Sequence, residues 1–347
     1  MQNQKLGYDK EHVVYIPMQG DIKNSYDVIR DAFARNPEVE SVTAAMHLPS
    51  NIGSSSGSVD WEGKDPELQV LVNQCVIDFD YTSTLNIPLV GGRRFERGRV
   101  ADQASDSSAA FLINEEMARI MGKENPVGER FSFMGFRDGR IIGVMKNFHF
   151  HSMRDKIEPL AISVAYPQFL NYIILRIKPG PVQQTLDKLT NTWKGVMPDH
   201  PFDFHFLDAE YESMYRAETR MGSLLKYFAI MAILIACLGL FGLASFMAEN
   251  RTKEIGVRKA LGSNGQQIVL LLSREFSMLV SVAILIAIPA SWFYLHRWLQ
   301  DYAYRTGLDW WIFALAAFIA FIIALLTVSY QAIRAARTNP SDSLRYE

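Results

Sequence analysis

Three long apolar segments near the C-terminus constrain this chain more than any other feature. Residues 228–247, 276–295 and 310–333 form uncharged runs of 20, 20 and 24 residues. About twenty residues of α-helix cross a hydrocarbon layer of roughly 30 Å. One such run could be a buried helix of a soluble protein, but three in succession favour a membrane protein. We predict membrane spans at about 224–248, 276–298 and 310–333.

The lysine and arginine residues beside these runs predict the orientation of the chain. One side carries the eight residues Arg251, Lys253, Arg258, Lys259, Arg274, Arg334, Arg337 and Arg345. The other side carries the five residues Arg216, Arg220, Lys226, Arg297 and Arg305. Because short cytoplasmic segments are enriched in Lys and Arg, loop 249–275 and the C-terminus are predicted to be cytoplasmic. Four tryptophans cluster around the opposite, external ends of the second and third spans, as in an aromatic belt. They are Trp292, Trp298, Trp310 and Trp311.

The polar residues before the first span predict a mixed α and β domain. A strand–helix–strand order occurs at 12–18, 22–35 and 39–46, and again at 172–177, 182–196 and 202–206. Two such units suggest a split ferredoxin-like core, with an insertion at about 52–167 forming a second lobe. Within the insertion, we expect a helix at 112–121 and a strand at 139–144. Residues 208–221 lack a helix breaker and are predicted to run directly into the first span as a stalk.

No catalytic constellation stands out in the sequence. The formal charge of -2 argues against a nucleic-acid partner, which would require a basic surface. There is no G-x-x-x-x-G-K-[ST] motif for ATP, and no H-E-x-x-H motif. Cys75 and Cys237 are too few for a disulfide framework. We therefore predict no catalytic residues in this chain.

His149 and His151 are the best candidates for metal ligands. Their spacing places them on one face of a predicted strand, with Asp155 or Glu158 as a further ligand. Zinc normally requires three or four convergent ligands, and alternating His and Phe is also typical of a half-exposed strand. We predict no metal and no cofactor, and a membrane-anchored enzyme that uses these histidines is the alternative.

The loop between the first two spans has a distinct composition. Residues 249–262 read ENRTKEIGVRKALG, in which Ile255, Ala260 and Leu261 can form an apolar strip among charged neighbours. A short amphipathic helix parallel to the membrane fits this pattern. Composition alone would equally suit a solvated basic loop or a helix that contacts anionic head groups.

Two segments carry a resemblance to a known family. The sequence RTKEIGVRKALGS at 251–263, between two spans, resembles the cytoplasmic motif of the FtsX-like permeases of the MacB type. The tail AIRAARTNPSDSLRYE at 332–347 is similar to the way that family ends. LGYDKEHVVYIP and GVMKNFHFHSMRDKIEP resemble segments of the family's periplasmic domain. The resemblance implies a MacB-like periplasmic domain at 1–221, with a Porter lobe of split ferredoxin-like type and an inserted Sabre lobe, followed by an FtsX-like transmembrane domain at 222–347.

The same resemblance implies a function. The chain would be the permease subunit of a mechanotransmission-type ABC transporter in a bacterial inner membrane, exporting or extracting a peptide, a drug or a lipoprotein. Its implied partners are an ABC ATPase on the cytoplasmic side, a second permease copy or half, a periplasmic adaptor and membrane lipid. The alternative is an FtsX-like regulator that relays ATPase motion to envelope hydrolases; the large two-lobed external domain favours transport.

The resemblance also implies a site where the ATPase is coupled. Its residues are Arg251, Lys253, Glu254, Ile255, Gly256, Val257, Arg258, Lys259, Ala260, Leu261 and Gly262. Within this coupling segment, Glu254, Arg258 and Lys259 would be the polar contacts with the ATPase. Family members carry a membrane helix before the periplasmic domain, and the chain resembles the second half of a doubled permease of the Bacteroidetes type. We therefore expect a fragment of a longer permease.

Overall fold

The computed structural model describes residues 6–103, 108–134, 137–153, 155–251, 265–300 and 307–337. The chain divides into two compact units, Met1–Arg216 and Ala217–Glu347. The first unit contains every strand that is described and six short helices, whereas the second contains three long helices. They are called the external unit and the span unit below.

Strands and short helices come first along the chain, and the three long helices come last. The strands are Val13–Pro17 (β1), Val39–Ala45 (β2), Ser54–Ser56 (β3), Val59–Trp61 (β4), Val72–Ile77 (β5), Leu89–Gly92 (β6), Ser108–Asn114 (β7), Arg130–Phe133 (β8), Arg137–Met145 (β9), Leu160–Val164 (β10), Tyr172–Ile177 (β11) and His205–Phe206 (β12). The helices are Asp21–Asn24 (α1), Tyr26–Ala34 (α2), Tyr81–Thr84 (α3), Glu115–Met121 (α4), Val182–Val196 (α5), Leu207–Met214 (α6), Arg216–Asn250 (α7), Gly265–Leu299 (α8) and Trp310–Arg337 (α9). Short 3₁₀ turns occur at Val100–Asp102 and Pro167–Phe169.

The strands of the external unit form one sheet. In the part of the chain that the structure describes, the order is β12-β1-β11-β2-β5-β10-β7-β9-β8-β4, with β3 beside β5 and β6 beside β9. The first four strands in this order are antiparallel to their neighbours. Helix α2 connects β1 to β2, and α5 connects β11 to β12, which is the arrangement of a split ferredoxin-like core. That prediction is confirmed.

The alternation of side chains along β1 explains why both faces of this core are covered. Val14 and Ile16 lie on one face, and Val13 and Tyr15 on the other, and all four are buried. The first face packs against α2 and α5, where a stacked aromatic pair, Phe33 and Trp193, has ring centroids 6.3 Å apart. The second face is covered by α6 and by the chain that leads into β1.

The insertion extends the same sheet. Strand β2 pairs with β5 at a single register pair, Ala45 with Ile77, flanked by two further backbone hydrogen bonds. Beyond this narrow junction, β5 runs parallel to β10 and β7 runs parallel to β9. The inserted residues therefore form no separate sheet, because their first long strand adds directly to the edge of the ferredoxin-like core.

A buried carboxylate braces this junction. Asp78 follows β5 directly and is 5% exposed. It accepts a hydrogen bond from the Tyr26 hydroxyl at 2.5 Å and another from Arg97 Nη2 at 2.9 Å. Burial, and then the nearby Asp78 carboxylate, raise the pKa of Tyr26, so its hydroxyl remains a donor. The core helix α2 and the inserted loop are thus tied to the same side chain.

Two elements have boundaries in the structure that differ from those predicted from the sequence. The expected helix at 112–121 is wrong in its first three residues, since Leu112 and Ile113 lie in β7 and α4 begins only at Glu115. Asn114 caps α4, because its side chain accepts a hydrogen bond from the Met117 amide. The strand expected at 202–206 is limited to β12, whose two residues pair with β1. Pairing with a distant strand determines both boundaries: β7 pairs with β9, and β12 pairs with β1. The local sequence pattern does not reveal these partners.

The predicted continuous stalk is interrupted. Helix α6 ends at Met214, Tyr215 has φ -103 and ψ 7, and α7 begins at Arg216. Tyr215 is buried and its hydroxyl accepts a hydrogen bond from the Met153 amide. This tertiary contact lies at the break, and the long helix α7 is continuous only from Arg216 onward.

A buried ion pair in the inserted loop gives a prediction for stability. Arg93 donates to both carboxylate oxygens of Asp102 at 2.6 Å, and the Glu96 amide donates to the same group at 2.9 Å. We expect Asp102→Asn to lower the free energy of unfolding by about 1–3 kcal/mol, because it removes a charged hydrogen-bond acceptor that is fully buried. Thermal unfolding in detergent measures the loss, and Glu96→Gln, at an exposed site, should change little.

The same pair should respond to acid. Burial by itself raises the pKa of Asp102, but the hydrogen bonds from Arg93 and the Glu96 amide lower it overall. A carboxylate with a lowered pKa in the folded state stabilises the protein above its ordinary pKa, about 4, and loses that contribution in more acidic solution. The difference in stability between the wild type and Asp102→Asn should therefore shrink below pH about 4. A difference that stayed constant into acid would contradict this assignment.

The span unit contains three helices long and apolar enough to cross a membrane. They are Thr219–Met247, Ser273–Leu299 and Trp310–Gln331, which confirms the three predicted membrane-type helices. Large apolar side chains on each helix are exposed, including Leu238 at 70% and Leu285 at 70%. Water would make such surfaces aggregate, whereas lipid tails are a suitable surrounding for them.

Candidate functional site

The three long helices pack together near the ends that border the predicted cytoplasmic loop. Ala244 of α7, Phe276 of α8 and Val328 of α9 are buried against one another. Leu240 and Met247 pack around them. These five residues are called the helix-end cluster. It brings the end of the first span, the start of the second and the end of the third into contact.

A polar contact joins α9 to α7 beside this cluster. Gln331 is 5% exposed, and its Nε2 donates to Ser245 Oγ at 2.7 Å. Polar side chains within membrane helices are costly unless they are paired, and they often mark functional positions. This hydrogen bond ties the third span to the first.

An ion pair joins the end of α7 to α8. Arg251, directly after α7, donates from Nη2 to Glu275 Oε1 of α8 at 2.8 Å. The Arg251 amide also donates to the Met247 carbonyl at 3.1 Å, which continues the α7 hydrogen-bond pattern by one residue. The two side chains are 33% and 41% exposed, so solvent weakens the pair. Because Glu275 lies ten residues after Gly265, the first residue of α8, the pair joins the end of α7 to the body of α8.

The structure describes only the first member of the predicted coupling segment. Arg251 lies at the base of the loop in the contact with Glu275. The remaining residues lie outside the described residues: Lys253, Glu254, Ile255, Gly256, Val257, Arg258, Lys259, Ala260, Leu261 and Gly262. Their role as a coupling segment stays a prediction.

Three functional candidates were missed in the sequence: Ser245, Glu275 and Gln331. The available signals were a lone carboxylate beside an apolar run, at Glu275, and a long amide side chain within one, at Gln331. Such residues are rare in membrane helices, so each could have been identified as needing a partner. The identity of that partner depends on helix packing.

The structure places the histidine pair outside any strand. Strand β9 ends at Met145, so the expectation that His149 and His151 lie on a strand is wrong. The segment is instead held by backbone contacts, such as the donation of the His149 amide to the Leu6 carbonyl at 2.8 Å. His151 Nε2 lies 3.7 Å from Glu158 Oε2. Among the described residues, no group of three or more His, Cys, Asp or Glu side chains could hold a metal ion.

The contact between Gln331 and Ser245 is testable by a double-mutant cycle. We expect Gln331→Leu and Ser245→Ala each to destabilise the span unit, and the double variant to cost less than the sum. Interhelical hydrogen bonds in membrane proteins contribute about 0.6 kcal/mol on average, which sets the expected coupling energy. Thermal unfolding of the four proteins in the same detergent measures it. Additive costs would mean that the two side chains do not act as a pair.

Sequence comparison places the span unit in a family. Residues 227–340 match the model of the FtsX-like permease C-terminal family, a range that includes the helix-end cluster and the loop. The span unit is an FtsX-like permease domain. An FtsX-like permease of the MacB type was the family predicted from the loop and the tail, and that prediction is confirmed.

Relatives extend the similarity to the external unit. The chain is 25% identical over 326 residues to the macrolide export ATP-binding/permease protein MacB of Chlorobaculum tepidum, covering 88% of this chain and 48% of that protein. It is 20% identical over 349 residues to the uncharacterized ABC transporter permease YknZ of Bacillus subtilis, covering 96% of this chain and 84% of that protein. The chain therefore spans about half the length of the MacB proteins that it matches.

Solved structures of extramembrane domains are also similar to this FtsX-like permease. The periplasmic region of MacB from Actinobacillus actinomycetemcomitans aligns with a TM-score of 0.41 and 16% identity, covering 60% of this chain and 95% of that one. The extracellular domain of YknZ aligns with a TM-score of 0.38 and 12% identity, covering 56% of this chain and 97% of that one.

Proposed function

We propose that this chain is the permease subunit of a mechanotransmission-type ABC transporter. A separate ATPase would bind the coupling segment at 251–262 on the cytoplasmic side, and its motion would be passed through the spans to the external unit. The external unit would act on a substrate in the periplasm of a bacterium, with the spans in the inner membrane. A second permease copy or half and a periplasmic adaptor complete the proposed assembly.

The observation that carries this proposal is the tie between Arg251 and Glu275. Because Arg251 and Glu275 hold the end of α7 against α8 at 2.8 Å, a push on the segment that follows Arg251 would displace both helices together. The buried Gln331–Ser245 contact extends the same connection to the third span. The family match over 227–340 supports an ABC ATPase as the source of the push.

A site-specific cross-link tests the partner. A photo-reactive benzoylphenylalanine at Ile255 in the full chain, expressed in the source organism, should capture a polypeptide with a P-loop. The same group at Trp292, near the opposite end of α8, should not capture it. Mass spectrometry identifies the adducts. Recovery of lipid adducts alone from Ile255 would mean that the loop contacts head groups and would reject the proposed docking.

The substrate class follows from the relatives only as a proposal. The MacB relative from Chlorobaculum tepidum is named as a macrolide export protein, so a labelled macrolide is the first compound to test. The chain and its ATPase, reconstituted in proteoliposomes, should move the label in an ATP-dependent way. ATP hydrolysis without movement of a macrolide, a peptide or a lipoprotein would favour the regulator that relays motion to envelope hydrolases.

A further inference from the structure

The first described residues of the external unit pack against its last helix, α6. Residues 6–12 lead into β1, and α6 leads out toward α7. Four tyrosines lie where these segments meet: Tyr8, Tyr15, Tyr211 and Tyr215. All four are at most 8% exposed. They are called the tyrosine clasp.

Specific contacts hold α6 in the clasp. The Tyr15 hydroxyl of β1 donates to Glu210 Oε2 at 3.2 Å, and the Met153 amide donates to the Tyr215 hydroxyl at 2.9 Å. The rings of Tyr211 and Tyr215 have centroids 5.0 Å apart. Lys10 Nζ lies 4.3 Å from the centroid of the Tyr211 ring. The helix is thus attached to the entering chain, to the core strand β1 and to residue 153.

The buried residues of α6 lie at helical spacing. Leu207, Tyr211 and the following Tyr215 are four residues apart, so one face of the helix is buried and the other faces solvent. An eight-residue helix is too short to be stable by itself in water. Burial raises the pKa of Tyr211, which keeps its hydroxyl neutral and suited to this packed surface. Tertiary contacts therefore determine where α6 lies.

The end of α6 is also the start of a long rigid element. Helix α7 begins at Arg216 and has 35 residues, a length of about 52 Å at 1.5 Å per residue. It ends at Asn250, next to Arg251 and the loop. Because Tyr215 directly precedes α7 in the chain, any displacement of α7 reaches the external unit first at Tyr215.

We propose that the tyrosine clasp is the point at which motion of α7 enters the external unit, with Tyr15 and Tyr215 as positioning residues. This inference rests on the proposed function. The clasp makes α6 move with β1 and with the segment at 147–153, so that the break at Tyr215 does not absorb the displacement. Without the two hydroxyl contacts, α6 should open locally about thirty times more often, since each net hydrogen bond changes such an equilibrium by a factor of about five.

Hydrogen exchange in the whole complex tests the clasp. The full chain with its ATPase in lipid nanodiscs is compared in ATP and in ADP, and exchange is followed by mass spectrometry in peptides that cover 6–15 and 147–153. The variant is Tyr15→Phe with Tyr215→Phe, which keeps both buried rings and removes both hydroxyls. The matched control is Tyr166→Phe, a tyrosine that is 49% exposed and outside the clasp.

The wild type and the control should show an exchange difference between ATP and ADP in both peptides. The double variant should lose most of this difference while the ATPase rate and the nucleotide-free exchange of the core strands stay unchanged. A nucleotide-dependent difference that persists in the double variant would overturn the clasp. No difference in the wild type would instead reject the proposed function, so the two failures are distinguishable. Single Tyr215→Phe serves as the milder variant if the double variant unfolds.

Discussion

Gly256→Leu combined with Ala260→Leu should abolish transport while ATP hydrolysis by the partner continues and the chain still inserts into the membrane. Both residues are small and belong to the proposed coupling segment, where the ATPase would approach closely. Added volume in a packed interface typically costs about 1–3 kcal/mol, which corresponds to an affinity loss of about five- to 150-fold. The three apolar runs that direct insertion are unchanged, so expression in the membrane should be normal.

This prediction is measured by three quantities in the same proteoliposomes. They are the amount of inserted chain, the ATPase rate and the ATP-dependent movement of a labelled macrolide or of an identified substrate. The matched control is Gly256→Ala with Ala260→Ser, which alters the same positions with little added volume. Transport at the wild-type rate in the leucine variant would exclude docking at 256 and 260. A defect of equal size in the control would point to loop conformation as the cause.

Arg251→Glu should reduce coupling about tenfold, and the charge exchange Arg251→Glu with Glu275→Arg should restore most of it. The wild-type pair is partly exposed, so its attraction is at most about 1 kcal/mol, and reversal replaces it with a repulsion of similar size. A swing of about 1.4 kcal/mol corresponds to a factor of ten in an equilibrium. The end of α7 would then separate from α8, and a push on the coupling segment would no longer reach both spans together.

Coupling is measured as the ratio of transport to ATP hydrolysis. Arg274→Glu makes the same charge change at the adjacent, exposed position and controls for altered membrane orientation. Because salt screens partly exposed charges, the defect of Arg251→Glu should diminish at high ionic strength. Failure of the exchanged pair to restore coupling, with normal insertion, would mean that Arg251 acts through a contact other than Glu275.

The sequence predicted the parts of the fold that local patterns determine. The three spans follow from bilayer thickness, which requires about twenty apolar residues in succession. The ferredoxin-like strand order follows from two strand–helix–strand units, each with a helix that can cover one face of the sheet. Helix α5 at Val182–Val196 and strand β11 at Tyr172–Ile177 have the boundaries expected from their periodicity.

The features that were not predicted depend on residues far apart in the chain. Arg251 and Glu275 are 24 residues apart, and Ser245 and Gln331 are 86 apart. Each polar residue signals the need for a partner, but helix packing decides which partner it finds. The break at Tyr215 has the same origin, since its hydroxyl is held by Met153 of a distant segment. The coupling residues after Arg251 lie beyond the part of the chain that the structure describes, and they stay a prediction.

The narrow junction between β2 and β5 has a mechanical consequence. A sheet resists shear in proportion to the length over which its strands are paired, and this junction has one register pair, Ala45 with Ile77. Both hydrophobic layers nevertheless continue across this line, since each contains residues of the ferredoxin-like core and of the insertion. Asp78, held by Tyr26 and Arg97, adds a buried polar contact at the same place. A load applied at β1 would therefore reach the inserted strands through side-chain packing more than through backbone pairing.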